Sequence, residues 1–206
     1  MRVANLPGIR RLPTYLNILR KLRKEGVEVT SAALIASYAD LAVSVVRKDL
    51  EMAGAQGTNG KGYLARDLII NIESFLGWDN PYDGVLVGVG KLGSAILGSE
   101  EFRRQGLNIV TAFDVDMDKI GRFVHGIEIM PVSKMASLIE RLHIGIGVIA
   151  VPNAQAQIIA DLLVHSGITR IWSFASDILN VPAGVTVQRE DLSAGLAELL
   201  VRSTAA

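Results

Sequence analysis

Two groups of residues have types and spacings that can do chemistry. The first is Gly88-Val89-Gly90-Lys91-Leu92-Gly93, with Asp114 standing 21 residues beyond Gly93. In a G-x-G-x-x-G run each glycine has its own task. Gly88 makes a tight turn, Gly90 lets the backbone approach a pyrophosphate, and Gly93 lets a helix lie close on a strand. The pyrophosphate sits on the amides and the positive end of that helix. Asp114 can accept hydrogen bonds from both ribose hydroxyls of an adenosine, and its charge repels a 2′-phosphate, which favours NAD(H) over NADP(H). The competing reading is a glycine-rich turn in an α/β domain.

The second group is Ser44, Arg47 and Lys48, followed by the stretch GAQGTNGKGY, in which Gly54, Gly57, Gly60 and Gly62 surround Lys61 and Tyr63 closes the run. An arginine can bond guanine or phosphate bidentately, a lysine acts as a point charge, and a serine is a small polar contact. A glycine-rich hairpin after such a helix is a wing whose lysine and amides lie along a phosphate strand. The alternative for the helix is an ordinary amphipathic segment with a solvated charged face. Glycines cradling nucleotide phosphates are excluded at the wing, because no helix with a Lys-Ser/Thr start follows.

The elements that must position these groups follow from periodicity. Pro7 and Pro13 predict an extended arm over residues 1–13, and Thr14 a helix N-cap, with Leu16, Leu19 and Leu22 at helical spacing up to Gly26. Thr30 or Ser31 can cap a short helix. After a break at Asp40 to Ala42 a second runs from Val43 to Ala53, with Val45, Val46, Leu50 and Ala53 inward, which is a helix-turn-helix arrangement. An amphipathic helix over 64–80 ends in turn chemistry at Asn80 to Gly84.

Beyond it, strand and helix alternate. Val85 to Val87 lead into the glycine run, a helix follows from Ser94 to about Arg104, and Ile109 to Phe113 end on Asp114. Later strands are expected at Ile127 to Met130, Gly145 to Val151, Ile168 to Phe174 and Val185 to Val187. The helices between and after them are expected at Ser133 to Leu142, Ala154 to Ser166 and Asp191 to Arg202. The fold class is therefore α/β. A winged helix-turn-helix domain occupies residues 1–80, a Rossmann-type doubly wound parallel sheet residues 81–190, and a C-terminal helix residues 191–206. The ligand loops fall at the strand carboxyl ends: 88–93, Asp114-Val115-Asp116 to Lys119, Val151-Pro152-Asn153, and Phe174-Ala175-Ser176. The terminal helix carries Leu192, Leu196, Leu199 and Leu200 as an apolar stripe. That stripe either covers the sheet or reaches a second subunit.

Composition narrows the classes. Half of the 206 residues are hydrophobic, enough for a buried parallel sheet and an apolar subunit interface. There is no cysteine, which excludes disulfides and thiolate metal sites and fits a cytoplasmic protein. No apolar run of membrane length and no signal-peptide core is visible. Net charge is zero, yet residues 1–80 carry 11 Lys/Arg against 8 Asp/Glu, and the first 24 residues hold seven basic groups and no acid. That end is suited to a polyanion, or it is a solvated face.

Catalysis is not expected. Hydride transfer normally needs an acid or base beside the substrate. His125, His143 and His165 fall outside the ligand loops, and Tyr82 is the one tyrosine after residue 80, with no Tyr-x-x-x-Lys pair.

With these motifs in hand, the chain resembles the Rex family of bacterial redox-sensing repressors over nearly its whole length. The likeness is carried by RLPTYL (Arg11 to Leu16), VRKDL (Val46 to Leu50), GAQGTNGKGY, VGVGKLGSA (Val87 to Ala95), FDVD (Phe113 to Asp116) with Lys119-Ile120-Gly121, and Val151-Pro152. The resemblance implies a homodimer on palindromic double-stranded operator DNA, with one NAD(H) per subunit, an exchanged C-terminal helix, and release of DNA by NADH. The implied DNA-binding set is Arg10, Ser44, Arg47, Lys48, Thr58, Gly60 and Lys61. The implied cofactor set is Gly88 to Gly93, Asp114, Val115, Asp116, Lys119, Val151, Pro152, Phe174 and Ala175. No catalytic residue, metal or membrane is implied. Departures fall at the family's switch positions: Asn17 stands for an arginine and Ser99 for a tyrosine, while the partner acid is kept as Asp191. The usual Asn-Phe-Ala-Pro reads Ser173-Phe174-Ala175-Ser176. The alternatives are an NAD-dependent oxidoreductase or a CoA-ligase-like nucleotide fold with an N-terminal helical appendage, and a nucleotide-insensitive DNA-binding paralogue.

Overall fold

A computed structural model describes residues 5–57 and 62–204, and these fall into two compact units divided between Asn80 and Pro81. The first unit opens on α1 (Leu6–Lys24), which begins eight residues before the expected cap at Thr14 and runs through Pro13. Pro7 stands in the first turn, where a missing N–H costs nothing. Pro13 is carried by burial on either side of it: Leu12, Tyr15, Leu16 and Leu19 are fully buried, and tertiary packing overrides propensity.

After β1 (Val29–Thr30), Ser31 caps α2 (Ala32–Ala39) by accepting from the Leu34 amide at 3.1 Å, and Asp40 ends it in the left-handed conformation. α3 (Val43–Met52) follows, burying Val46 and Leu50 among α1 and α2; Val45 is only half-buried. The expected wing hairpin differs. Its closing strand, β2 (Tyr63–Leu64), pairs antiparallel with β1, and residues 55–57 are not in a strand. α4 (Ala65–Leu76) lays Leu68, Ile69 and Ile72 on the same core and stops at Gly77 in the left-handed conformation.

The second unit is a seven-stranded sheet with helices on both faces. Its elements are β3 (Tyr82–Val87), α5 (Lys91–Leu97), α6 (Glu100–Arg104), β4 (Leu107–Asp114), β5 (Phe123–Val124), β6 (Ile127–Pro131), α7 (Met135–Leu142), β7 (Ile146–Ile149), α8 (Asn153–His165), β8 (Arg170–Ser173), β9 (Thr186–Arg189) and α9 (Leu192–Thr204). The spatial order β5-β6-β4-β3-β7-β8-β9 is parallel except where the β5–β6 hairpin is added at one edge. Without β5 it is the 3-2-1-4-5-6 order of a dinucleotide fold, whose chain reversal lies between β3 and β7. The helix expected from Ser94 to Arg104 is broken at Gly98, and Ser99 starts α6 by accepting from the Phe102 amide.

Candidate functional site: a nucleotide crevice and a basic helix face

A crevice of about 400 Å³ opens at the carboxyl ends of β3, β4 and β7, just beyond the last β3–β7 pairing at Val87 and Ile149. Gly88 has φ +96°, and a Cβ there would lie 2.7 Å from the Ala150 carbonyl and from the Val151 side chain. A Cβ on Gly93 would overlap the Gly88 carbonyl, so this glycine is what lets α5 meet β3. Gly90 is different: its φ is −84° and nothing lies within 4 Å of an added Cβ. Neither backbone conformation nor packing requires glycine there. A ligand lying in that space would. The first amides of α5, on Lys91, Leu92 and Gly93, have no intrahelical acceptor.

Asp114 closes β4 almost fully buried. Its Oδ2 accepts from the Val89 amide at 2.8 Å and from Lys119 Nζ at 3.0 Å, and its Oδ1 from the Asp116 amide at 3.0 Å. Burial alone would raise its pKa, but the Asp116 amide, the Lys119 ammonium and the Val89 amide outweigh burial and hold the carboxyl below the ordinary range. Bonding to Asp114 in turn raises Lys119, which also reaches Asp116 at 3.4 Å. A carboxylate has roughly four acceptor sites, so one remains for a ribose hydroxyl. A second hydroxyl must displace Lys119 or turn to the exposed Asp116 carboxylate.

Of the sequence-derived set, Gly88, Gly90, Asp114, Val115, Lys119, Val151 and Pro152 line this crevice. Phe174 and Ala175 lie outside its lining: Phe174 packs on Trp172 at 4.6 Å between ring centroids, and buried Ala175 donates its amide to Ser173 Oγ. Val132, Gln155 and Ile159 line it and were missed. Gln155 was findable, because it stands in the first turn of the helix that starts where β7 ends. The loop after β8 is pinned at Ser176, whose amide donates to Asn153 Oδ1 at 3.0 Å and whose carbonyl accepts from Arg189 at 2.7 Å.

The histidines serve the fold. His125, at φ +49°, turns β5 into β6, His143 ends α7 in the left-handed conformation, and His165 bonds the Asp161 carbonyl. Among the described residues no cluster of His, Asp and Glu could hold a metal ion, and no helix is long and apolar enough to cross a membrane.

In the first unit Ser44, Arg47 and Lys48 are exposed on α3, and Arg10 is exposed on α1. Thr58, Gly60 and Lys61 lie outside the described residues. Sequence reading missed Asp49, which follows Lys48, is 1% exposed, and is bonded by Arg11 and Tyr15. Of the three switch positions, Asn17 is exposed on α1, Ser99 caps α6, and Asp191 accepts from the Ser193 amide at 3.0 Å and so caps α9. The Ser193 contacts also lower the Asp191 pKa.

Two family models match separate parts of the chain. Residues 79–176 match the family model described as CoA binding domain, and residues 6–51 match one described as "Putative DNA-binding protein N-terminus". The redox-sensing transcriptional repressor Rex of Treponema denticola is 37% identical over 198 residues, covering 96% of this chain and 94% of the relative. The protein of the same name from Desulforamulus reducens is 39% identical over 198 residues, covering 95% and 94%. Among solved structures, RSP in complex with β-NAD⁺ and operator DNA superposes with a TM-score of 0.91 at 32% identity, over 100% of this chain and 94% of that one. RSP in complex with β-NADH gives 0.89 at 31%, over 100% and 96%.

Proposed function

This chain belongs to the Rex family of redox-sensing transcriptional repressors, and from that membership we propose that it is a homodimeric repressor that binds palindromic operator DNA and leaves it when NADH is bound. It is a regulator and not an enzyme, and its site of action is then the cytoplasm. Gly90 carries the ligand half of this reading, because open space for a pyrophosphate is the one requirement in this structure that a glycine at 90 meets.

The amides from Gly88 to Gly93 would hold the pyrophosphate, Asp114 with Asp116 and Lys119 the adenosine ribose, and Val115 would flank the base. Val151 and Pro152 would face the nicotinamide end, with Phe174 and Ala175 outside the crevice lining. When bound, the nicotinamide supplies a ring that is charged if oxidised and neutral if reduced, and that difference is the signal. Val151 and Pro152 are apolar and the Gln155 amide beside them is no acid or base, which suits a ligand that is read and released unchanged. On the DNA side, Arg47 and Ser44 would read base edges, while Lys48, Arg10 and the wing residues Thr58, Gly60 and Lys61 would hold phosphates.

A ligand can shift a two-state equilibrium only by its differential affinity for the two states. NADH must therefore bind the released dimer more tightly than the DNA-bound one, by about 1.4 kcal/mol for each tenfold loss of operator affinity. Asn17, Ser99 and Asp191 are the positions where this coupling would differ from the family pattern. Mobility shift on the palindromic duplex that the protein selects from a random-sequence library tests the proposal. NADH should release the complex at lower concentration than NAD⁺. Equal insensitivity to both would identify a nucleotide-blind paralogue, and net oxidation of NADH an oxidoreductase.

A further inference from the structure

Asp49 shares α3 with Arg47 but, two residues and about 200° further round the helix, points the opposite way: Asp49 is buried and Arg47 exposed. Arg11 Nε donates to its Oδ2 at 2.7 Å and Arg11 Nη2 to its Oδ1 at 2.9 Å, a two-pronged fork from α1, while the Tyr15 hydroxyl donates to Oδ2 at 2.8 Å. Asp49 is 1% and Tyr15 0% exposed. Room for this seat comes from Gly8, where a Cβ would stand 2.8 Å from Asp49 Oδ1.

An ion pair whose carboxylate is buried in this way contributes little net stability over apolar residues of the same volume, because the Coulomb gain is spent on desolvating Asp49. Its distinguishing property is direction. Val46 and Leu50 hold α3 by non-directional burial, which tolerates some rotation of the helix about its axis. The planar guanidinium fork does not, since both bonds must stay in line. A rotation of about 20° would move a side-chain tip at the helix surface by about 2 Å. That is enough to break a base-edge hydrogen bond, yet it is absorbed by a flexible lysine on a phosphate.

We propose that Asp49, clamped by Arg11 and Tyr15, is a specificity-determining positioning residue: it fixes the rotation of α3 so that the exposed Arg47 meets a base edge, acting from the face of the helix turned away from DNA. This rests on the reading of α3 as the DNA-reading helix. It also assigns Arg11, despite its place in a basic segment, to the Asp49 carboxylate and not to the phosphates.

The test compares the full-length protein with its Asp49→Asn, Tyr15→Phe and Arg11→Met/Asp49→Leu variants. The probes are the palindromic duplex that the wild type selects from a random library and a base-shuffled duplex of equal length. Binding is measured at several salt concentrations and corrected for the folded fraction by thermal unfolding. The ratio of palindrome to shuffled affinity should fall at least about tenfold in Asp49→Asn and in the double variant, the size of losing one well-made base contact. The slope of log affinity against log salt should stay at the wild-type value, because phosphate contacts are kept. Tyr15→Phe, which retains the fork, should fall in between. The double variant replaces the pair by apolar groups and keeps the test open if Asp49→Asn does not fold. An unchanged ratio in the folded variants overturns the proposal, as does an equal loss on both duplexes, which would mark the network as merely structural. A wild type that selects no duplex overturns the reading of α3 itself, and the two failures are told apart by that control.

Discussion

Gly90 and Gly93 stand three residues apart and should respond to the same substitution in opposite ways. Alanine at 90 meets open space at a φ that any residue adopts, so the fold should lose no more than about 1 kcal/mol, the cost of alanine at a helix N-cap. The added methyl occupies the space read as the pyrophosphate's, and NADH affinity measured by cofactor fluorescence should drop by about tenfold or more. Alanine at 93 overlaps the Gly88 carbonyl and should destabilise the second unit by about 1 to 3 kcal/mol, seen in denaturant unfolding. Comparable stability losses in the two variants would remove the argument from Gly90. Charge gives a further prediction at this scale. The carboxyls of Asp49 and Asp114 are held below their ordinary range, the first against burial by Arg11 and Tyr15. A depressed carboxyl contributes stability that is present above its unfolded pKa of about 4 and is lost as pH falls through the lower folded value. Melting temperature should therefore decline below about pH 4, and Asp114→Asn should flatten that decline for the second unit; an unaltered acid limb would mean that the Lys119 bridge is too solvated to matter. The turn at Gly88 and the close packing at Gly93 were legible because each follows from local geometry at fixed spacing. The role of Asp49 was not, because its partner is 38 residues away and periodicity carries no information about which polar side chain finds which.

Elements were legible where one cause dominated and misread where two competed. The alternation of strand and helix after residue 80 implied a parallel doubly wound sheet, and the sheet is parallel apart from its added edge hairpin. The Phe123–Val124 edge strand was missed, since two residues set no period. The start of α1 was misplaced because Pro7 and Pro13 were read alike as helix breakers. Pro7 is a helix starter, and Pro13 is tolerated because four fully buried side chains hold the helix across it. That tolerance has a measurable consequence. Pro13 deprives α1 of one backbone hydrogen bond, so Pro13→Ala should stabilise the first unit by about 1 to 3 kcal/mol in denaturant unfolding of the full chain. A neutral or destabilising result would mean that the proline ring's own packing outweighs the hydrogen bond it removes. The break between α5 and α6 was missed for the converse reason: Gly98 and Ser99 are tolerable inside a helix, and Ser99 became a cap because its hydroxyl reaches the Phe102 amide.

For the whole molecule the deciding element is α9. Its stripe of leucines could be read from the sequence, but a stripe does not say whether it covers its own sheet or another copy. In the single chain Leu196 and Leu199 are 57% and 64% exposed, so this face is not laid on its own sheet. Each such side chain gains about 1.5 to 3 kcal/mol on full burial, which makes a second copy the natural cover for a repressor expected to act as a dimer. Dimerisation is what turns a weak reader into an operator-binding protein. Two α3 helices joined through α9 would address half-sites about one helical turn apart, and the second engagement would be intramolecular once the first had formed. Leu196→Asp with Leu199→Asp should therefore give a monomer in sedimentation velocity and lower affinity for the full palindrome by about a hundredfold or more, while affinity for an isolated half-site stays unchanged. Loss at the half-site as well would mean that the substitutions damage the first unit. A persisting dimer would move the interface away from α9, and with it the place where NADH binding could pull the two reading helices apart.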